Sequence, residues 1–305
     1  MERTELILER VSATSKQAMI CFSLSVIIFT ASLFTAQLVD FSPDFKNIVF
    51  FGPALYICLF NFVLRYWFTG FEYKVAIRSS FLGAVFAIGI IMATLDHGCK
   101  YFGRYLMILS GFHFSEFMSV ALTNPLTLSL DSFILNHSIE YGVAAVASWI
   151  EWLVEFLYFP EMKDYNWLSY VGVAMCVGGE IFRKAAIFTA RTNFNHTVQF
   201  VRQPDHQLVT HGVYSVCRHP SYVGWFYWSI GTQITLLNPI CVVFYALASW
   251  SFFRERVYAE ELTLLSFFGP DYLEYQKRVG TGLPFIRGYI PEDTRQRAKD
   301  EKRSH

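Results

Sequence analysis

Residues 219–253 contain no Asp, Glu, Lys or Arg, an uncharged run of 35 residues between Arg218 and Arg254. As one straight helix it would rise about 52 Å, against a bilayer hydrocarbon core of about 30 Å. The run must therefore reverse within itself. Asn238-Pro239 marks the place, because proline lacks an N–H and disfavours helix at the residue before it. The pattern predicts a helical hairpin: one helix from His219 to Leu237 and another from Ile240 onward.

Uncharged runs bounded by charges recur upstream. They predict spans at 17–39, between Lys46 and Arg65 and between Arg78 and Asp96, and apolar runs that each include one or two glutamates predict further spans at 105–123, 141–159 and 165–182. Composition agrees: 53% of residues are hydrophobic and 16% are charged, against about 25% charged in soluble domains. The expected fold is an all-α integral membrane protein of eight transmembrane helices, ending in a helix 7–8 hairpin. Residues 1–100 hold helices 1–3, residues 101–290 hold helices 4–8 with their flanking loops, and 291–305 form a mobile cytosolic tail.

An even span count puts both termini on one side. Their side carries most of the Lys and Arg; without the charges after 253 the split is still 10 to 4. The positive-inside rule then makes both termini cytosolic. No signal-peptide core, CaaX box or KDEL signal is expected.

Other function classes lack support. Lys+Arg equals Asp+Glu at 25 each, so no basic excess exists to bind nucleic acid. The six cysteines form no CxxC pair, which argues against a zinc ribbon or redox motif. His206, His211 and His219 have no metal-ligand spacing, and no metal is expected. Gly172, Gly178 and Gly179 do not form a dinucleotide fingerprint and follow no strand, so there is no Rossmann domain. They read instead as small residues that let helices approach.

Segments 183–220 and 254–290 flank the hairpin and so meet at its cytosolic mouth. Pro220 suits a first helical position, with His219 as N-cap. The free amides and positive dipole there favour an anion; the plainer alternative is a capped helix with Arg218 at the headgroups. Arg256 and Glu260 lie four apart, on one helix face. Arg256 sits about 24 Å of rise from Ile240, near the membrane boundary. There it can hold a carboxylate bidentately, or simply snorkel and end the span. Glu116, Glu151, Glu155 and Glu180 fall within predicted spans. They pair with arginine or backbone donors, or else line a proton pathway, which keeps a transporter reading open.

The stretch from His206 through His211, Tyr214 and Arg218-His219-Pro220-Ser221-Tyr222 to Gly224, then a hairpin and Glu260-Glu261, resembles the isoprenylcysteine carboxyl methyltransferases. The run from Phe268 to Phe285 continues the likeness, as do His113-Phe-Ser-Glu116-Phe and the segment from Asp131 to Ser138. Membrane phospholipid methyltransferases carry a similar box. The two upstream segments favour the prenylcysteine enzymes of animals, and the resemblance spans roughly residues 100–290.

The resemblance implies an S-adenosylmethionine-dependent enzyme of the endoplasmic reticulum membrane, with residues 101–290 as its catalytic membrane domain and a cofactor pocket at the cytosolic face of the helix 7–8 hairpin. It would methylate the C-terminal carboxylate of farnesyl- or geranylgeranyl-cysteine on CaaX-processed proteins of the small GTPase type, met within the bilayer, with no obligate protein partner. Cofactor contacts would fall on Gln199, His206, Gln207, Leu208, Val209 and Tyr214, and on His219, Pro220, Ser221, Tyr222 and Glu260. Arg256 would hold the substrate carboxylate. Tyr214, Tyr222 and Trp225 are candidates to face the adenine or the sulfonium.

Overall fold

The computed structural model describes residues 2–38, 59–95, 98–135, 138–204 and 206–291, and regular structure among them is helical throughout. The long helices are α1 (Glu2–Leu38), α2 (described over 59–67), α3 (Gly70–Thr94), α4 (Cys99–Thr123), α5 (Ile139–Tyr158), α6 (Asn166–Ala190), α7 (Pro220–Leu236) and α8 (Pro239–Phe268). A short α9 (Pro270–Arg278) follows. Residues 46–58 of the expected second span and the tail beyond 291 lie outside the described residues. The chain forms two units: Met1–Cys176 with Ile230–Val243, and Val177–Ser229 with Phe244–His305.

Among the described residues, three helices are long and apolar enough to cross a membrane: Leu8–Ser32, Gly70–Thr94 and Cys99–Thr123. Several boundaries differ from the charge-bracketed expectation. The first helix starts well before 17; its Thr14 and Ser15 hydroxyls bond back to the carbonyls of Arg10 and Val11. Helix α3 starts at Gly70 and carries Lys74 and Arg78 inside it. Helix α6 runs on past 182 to Ala190, because Arg183 is only 2% exposed and does not mark a water boundary.

The first unit packs largely by aromatic stacking. Phe22 lies over Phe114 with centroids 4.0 Å apart, and Phe117 over Phe133 at 4.1 Å. Both upstream motif segments belong to this core. His113 is buried, with Nδ1 2.9 Å from the Phe133 carbonyl and Nε2 3.2 Å from the Tyr141 hydroxyl.

The reversal between α7 and α8 falls at Asn238-Pro239. Leu237 takes a left-handed φ of 58°. Its N–H donates to Ile234 O at 3.1 Å, and that of Asn238 to Gln233 O at 3.0 Å. That is a Schellman C-cap with leucine in the position glycine usually fills. Pro239 opens α8, where its missing N–H costs nothing.

Two charges hold this turn, and both act on helix ends. Lys163, 3% exposed, pairs with Glu155 at 2.5 Å. It also donates to the Leu236 and Leu237 carbonyls at 2.8 and 3.0 Å, at the negative end of the α7 dipole. Glu151 accepts from the N–H groups of Ile240 and Cys241, each at 2.7 Å, at the positive end of α8. Glu180 pairs with Lys184 at 3.0 Å, one turn away, and Glu116 is fully buried. Glu151 and Glu155 are thus spent on capping and pairing, which removes them as support for a proton pathway.

Lys163→Met should leave the Glu155 carboxylate buried and unpaired, costing on the order of 3–5 kcal/mol. A lowered thermal unfolding midpoint in detergent checks this. The double variant Glu155→Gln/Lys163→Met should recover part of the loss, because no bare charge remains.

Candidate functional site

Within the second unit, α6 and α7 approach through glycine. A Cβ on Gly179 would stand 2.5 Å from Gly224 O, and one on Gly224 would stand 2.5 Å from Gly179 O. No larger residue allows the crossing. Gly178, expected to share this role, has nothing within 4 Å of such an atom; it faces away from the contact. The close crossing brings Arg183 of α6 to the start of α7. Its Nη1 donates to the Ser221 hydroxyl at 2.6 Å, and its guanidinium lies 4.7 Å from the Trp225 ring centroid. Trp225 is therefore committed to Arg183 and does not line the pocket described below.

The second of the paired glutamates organises the unit. Glu261 is fully buried. Its Oε1 accepts from Arg218 Nε at 2.8 Å and lies 3.1 Å from His219 Nε2. Its Oε2 accepts from Gln276 Nε2 at 3.0 Å and from the Tyr289 N–H at 2.7 Å. Arg218 in turn donates to the carbonyls of Val279 and, at 3.2 Å, Arg287. Arg218 is thus a buried strut and not a headgroup anchor. Burial pushes the Glu261 carboxyl up, but His219 and the Arg218 charge outweigh it and hold it below the usual carboxylate range.

The first of the pair faces the opposite way. Glu260 lies 4.0 Å from His219 Nδ1, and its Oε2 accepts a short hydrogen bond from the Tyr222 hydroxyl. That hydroxyl also accepts from Arg256 Nε at 3.2 Å, while Arg256 Nη2 donates to the His196 carbonyl. One phenol oxygen thereby links the guanidinium to the carboxylate. The Tyr222 ring is stacked between His219, with centroids at 5.5 Å, and Phe253 at 5.2 Å.

Two pockets open here and share Asn193, Asn195, Gln207, Tyr222, Glu260 and Leu264. Leu208, Val209 and Tyr214 line the first, with His219, Pro220 and Ser221 at its floor. Gln199 and His206 line the second. The eleven residues expected as cofactor contacts, from Gln199 to Glu260, thus each line one of the two, and Trp225 lines neither. Arg256 lines neither, but it reaches their edge through Tyr222. Burial and then the Glu260 charge push the Tyr214 phenol up, so it stays protonated; burial pushes the Cys217 thiol up to about 11.

The amide cluster expected at the α7 N-terminus is largely spent. Pro220 has no N–H, and Tyr222 and Val223 both donate to His219 O at 3.0 Å. The pocket is completed by Asn193, Phe194, Asn195, Leu264 and Tyr275, which sequence reasoning missed. Asn193 is informative: its Oδ1 accepts from the Gln207 N–H at 2.8 Å and ties the two loop walls together. The only signal was its place in the long polar segment 183–218.

Residues 172–266 match the model of the isoprenylcysteine carboxyl methyltransferase family. Over 237 residues the chain is 54% identical to the protein-S-isoprenylcysteine O-methyltransferase of Mus musculus, covering 78% of this chain and 84% of the relative. The Xenopus laevis protein of the same name is 49% identical over 265 residues, 87% of this chain and 90% of its own. A solved structure of the eukaryotic intramembrane Ras methyltransferase superposes with a TM-score of 0.86 at 45% identity. It covers 91% of this chain and 99% of its own.

The lowered Glu261 pKa has a sign. Its contribution to stability is complete above the ordinary carboxylate value of about 4.3 and disappears as pH falls through the lower folded value. Circular dichroism in detergent should therefore show an acid transition that lies below about pH 4.3 and moves in the Glu261→Gln variant. Glu261→Ala should cost on the order of 3–5 kcal/mol by stranding Arg218, whereas half-exposed Glu260→Ala should cost far less.

Proposed function

The chain belongs to the isoprenylcysteine carboxyl methyltransferase family, and we propose how its second unit carries out the reaction. The protein is a membrane transferase that methylates prenylated cysteine. We read the acceptor as the C-terminal carboxylate of farnesyl- or geranylgeranyl-cysteine on CaaX-processed proteins of the small GTPase kind. The donor is S-adenosylmethionine. In this reading eight helices span the endoplasmic reticulum membrane with both termini cytosolic, and residues 101–290 form the catalytic region. Two charges counted against that orientation are spent internally: Lys163 is buried, and Arg104 donates to Ser169 at 2.9 Å and lies over the Tyr170 ring.

The observation that carries the proposal is the shared phenol: Arg256 and Glu260 meet at the Tyr222 hydroxyl. The pocket walls suit an amphipathic adenosyl ligand. They set Asn193, Asn195 and Gln207 against Leu208, Val209 and Leu264, with Tyr214 and Tyr275 for aromatic contact and Glu260 as the anionic wall. Gln199 and His206 extend the same surface, and His219, Pro220, Ser221 and Tyr222 complete it. When bound, the cofactor supplies a methyl group on a positively charged sulfur.

The chain's own work is positioning. An α-carboxyl group has a pKa near 3.5 and arrives ionised, so no general base is required. Arg256 uses Nε and Nη2 internally; among the described residues Nη1 has no hydrogen-bond partner and is free to meet the acceptor carboxylate. Tyr222, clamped by two rings, holds Arg256 at a set distance from the cofactor wall. Transfer to a carboxylate neutralises charge, and a water-poor site favours that loss over hydrated reactants. The remaining gain comes from fixing both partners in line.

Arg256→Ala should lower kcat/KM about 100-fold or more through lost alignment while leaving S-adenosylmethionine affinity nearly unchanged; calorimetry and carboxyl methylation of farnesylcysteine measure the two separately. Intact turnover in that variant overturns the assignment. Glu260→Gln should show the reverse pattern, weakening cofactor binding by about 1–3 kcal/mol, the worth of a hydrogen bond to a charged group.

A further inference from the structure

The segment after α9 contains Leu283-Pro284-Phe285-Ile286, four consecutive apolar residues in a tight turn. Leu283 and Ile286 are buried, whereas Phe285 is 95% exposed and is held at a left-handed φ of 62°. A non-glycine residue rarely adopts that conformation, and it persists only where the surroundings impose it. Here the imposed backbone turns an aromatic ring outward.

Around Phe285 the turn is pinned from within the protein through Leu283, Pro284 and Ile286. Leu283 N–H donates to Thr281 Oγ1 at 3.4 Å, and Thr281 Oγ1 donates to Ile286 O at 2.5 Å. Ile286 N–H donates to Leu283 O at 3.3 Å. Trp250 Nε1 donates to Pro284 O at 2.8 Å, and Pro284 has no N–H to satisfy.

The neighbouring face of α8 supplies the second argument. Phe244 and Leu247 are exposed and share a helix face with Trp250 and Arg254. Arg254 sits 5.6 Å from the Trp250 ring centroid. An apolar stripe that ends in tryptophan beneath arginine is the pattern of a membrane–water interface.

We propose that residues 283–286 form a lipid wedge, with Phe285 inserted into the bilayer beside the Trp250 level of α8. The inference rests on the reading of α8 as a span. It ties the site to the membrane surface, because the same segment, at Gly280 and Thr281, accepts the backbone N–H groups of Arg218 and His219 at 2.8 and 3.3 Å. A Cβ on Gly282, between these bonds and the wedge, would stand 2.6 Å from Cys217 Cβ, so the two are rigidly joined.

A nitroxide attached to Phe285→Cys in the full, otherwise cysteine-free chain tests the proposal in phosphatidylcholine vesicles. At a position this exposed the label displaces no packing. Leu247→Cys serves as the lipid reference and Glu274→Cys, on exposed α9, as the water reference. The expected result is that oxygen, dissolved in lipid, relaxes the 285 label several-fold more than an aqueous nickel complex, as at 247. A 285 label that behaves like 274, or that neither reagent reaches, overturns the wedge. If 247 also behaves like 274, the span reading of α8 falls with it.

Discussion

The second unit is built around a carboxylate that water never reaches. Removing Glu261 from solvent is costly unless each oxygen finds donors, and Arg218, His219, Gln276 and the Tyr289 N–H supply them. Because these donors come from the start of α7, from α9 and from the segment beyond it, satisfying one buried charge brings these three segments together. His219 is oriented as a by-product: with Nε2 at Glu261, its Nδ1 turns toward Glu260.

The adjacent glutamates illustrate how one residue of helical rotation separates two tasks. Successive residues project about 100° apart on a helix. Glu261 points into the protein and holds it together; Glu260 points to the pocket and remains available to a ligand. Glu260 and Arg256, one turn apart, share a face and meet at Tyr222. The reaction proposed for this site asks little beyond such placement, since an ionised acceptor needs no proton removed. The same economy appears at the far turn of the hairpin, where Glu151 and Lys163 are placed on opposite helix dipoles and stabilise a reversal that a glycine would make more easily.

Much of this was legible in the residues. The uncharged run and its Asn238-Pro239 break located the hairpin, since length in lipid and proline stereochemistry are local properties. The Arg218–Gly224 box and the spacing of Arg256 and Glu260 pointed to one mouth. Three charges do not mark water: Arg183, Lys163 and Arg218 are all buried. The helix end expected at Arg183 accordingly lies further on, at Ala190, whereas the starts expected after Lys163 and Arg218 fall within one residue of Asn166 and Pro220, and the Trp225 ring has the Arg183 guanidinium over it.

The amino-acid sequence by itself determined the helical, membrane-embedded class, the point of reversal and the family box, because hydropathy, helical period and proline act through neighbours in the chain. Only the tertiary structure decided which charges are buried and what they hold. Glu261 meets a donor 43 residues away in Arg218, and Lys163 meets carbonyls more than 70 residues away. The penalty for burying an ion, and the partner that offsets it, depend on what lies nearby in space, and no local pattern records that.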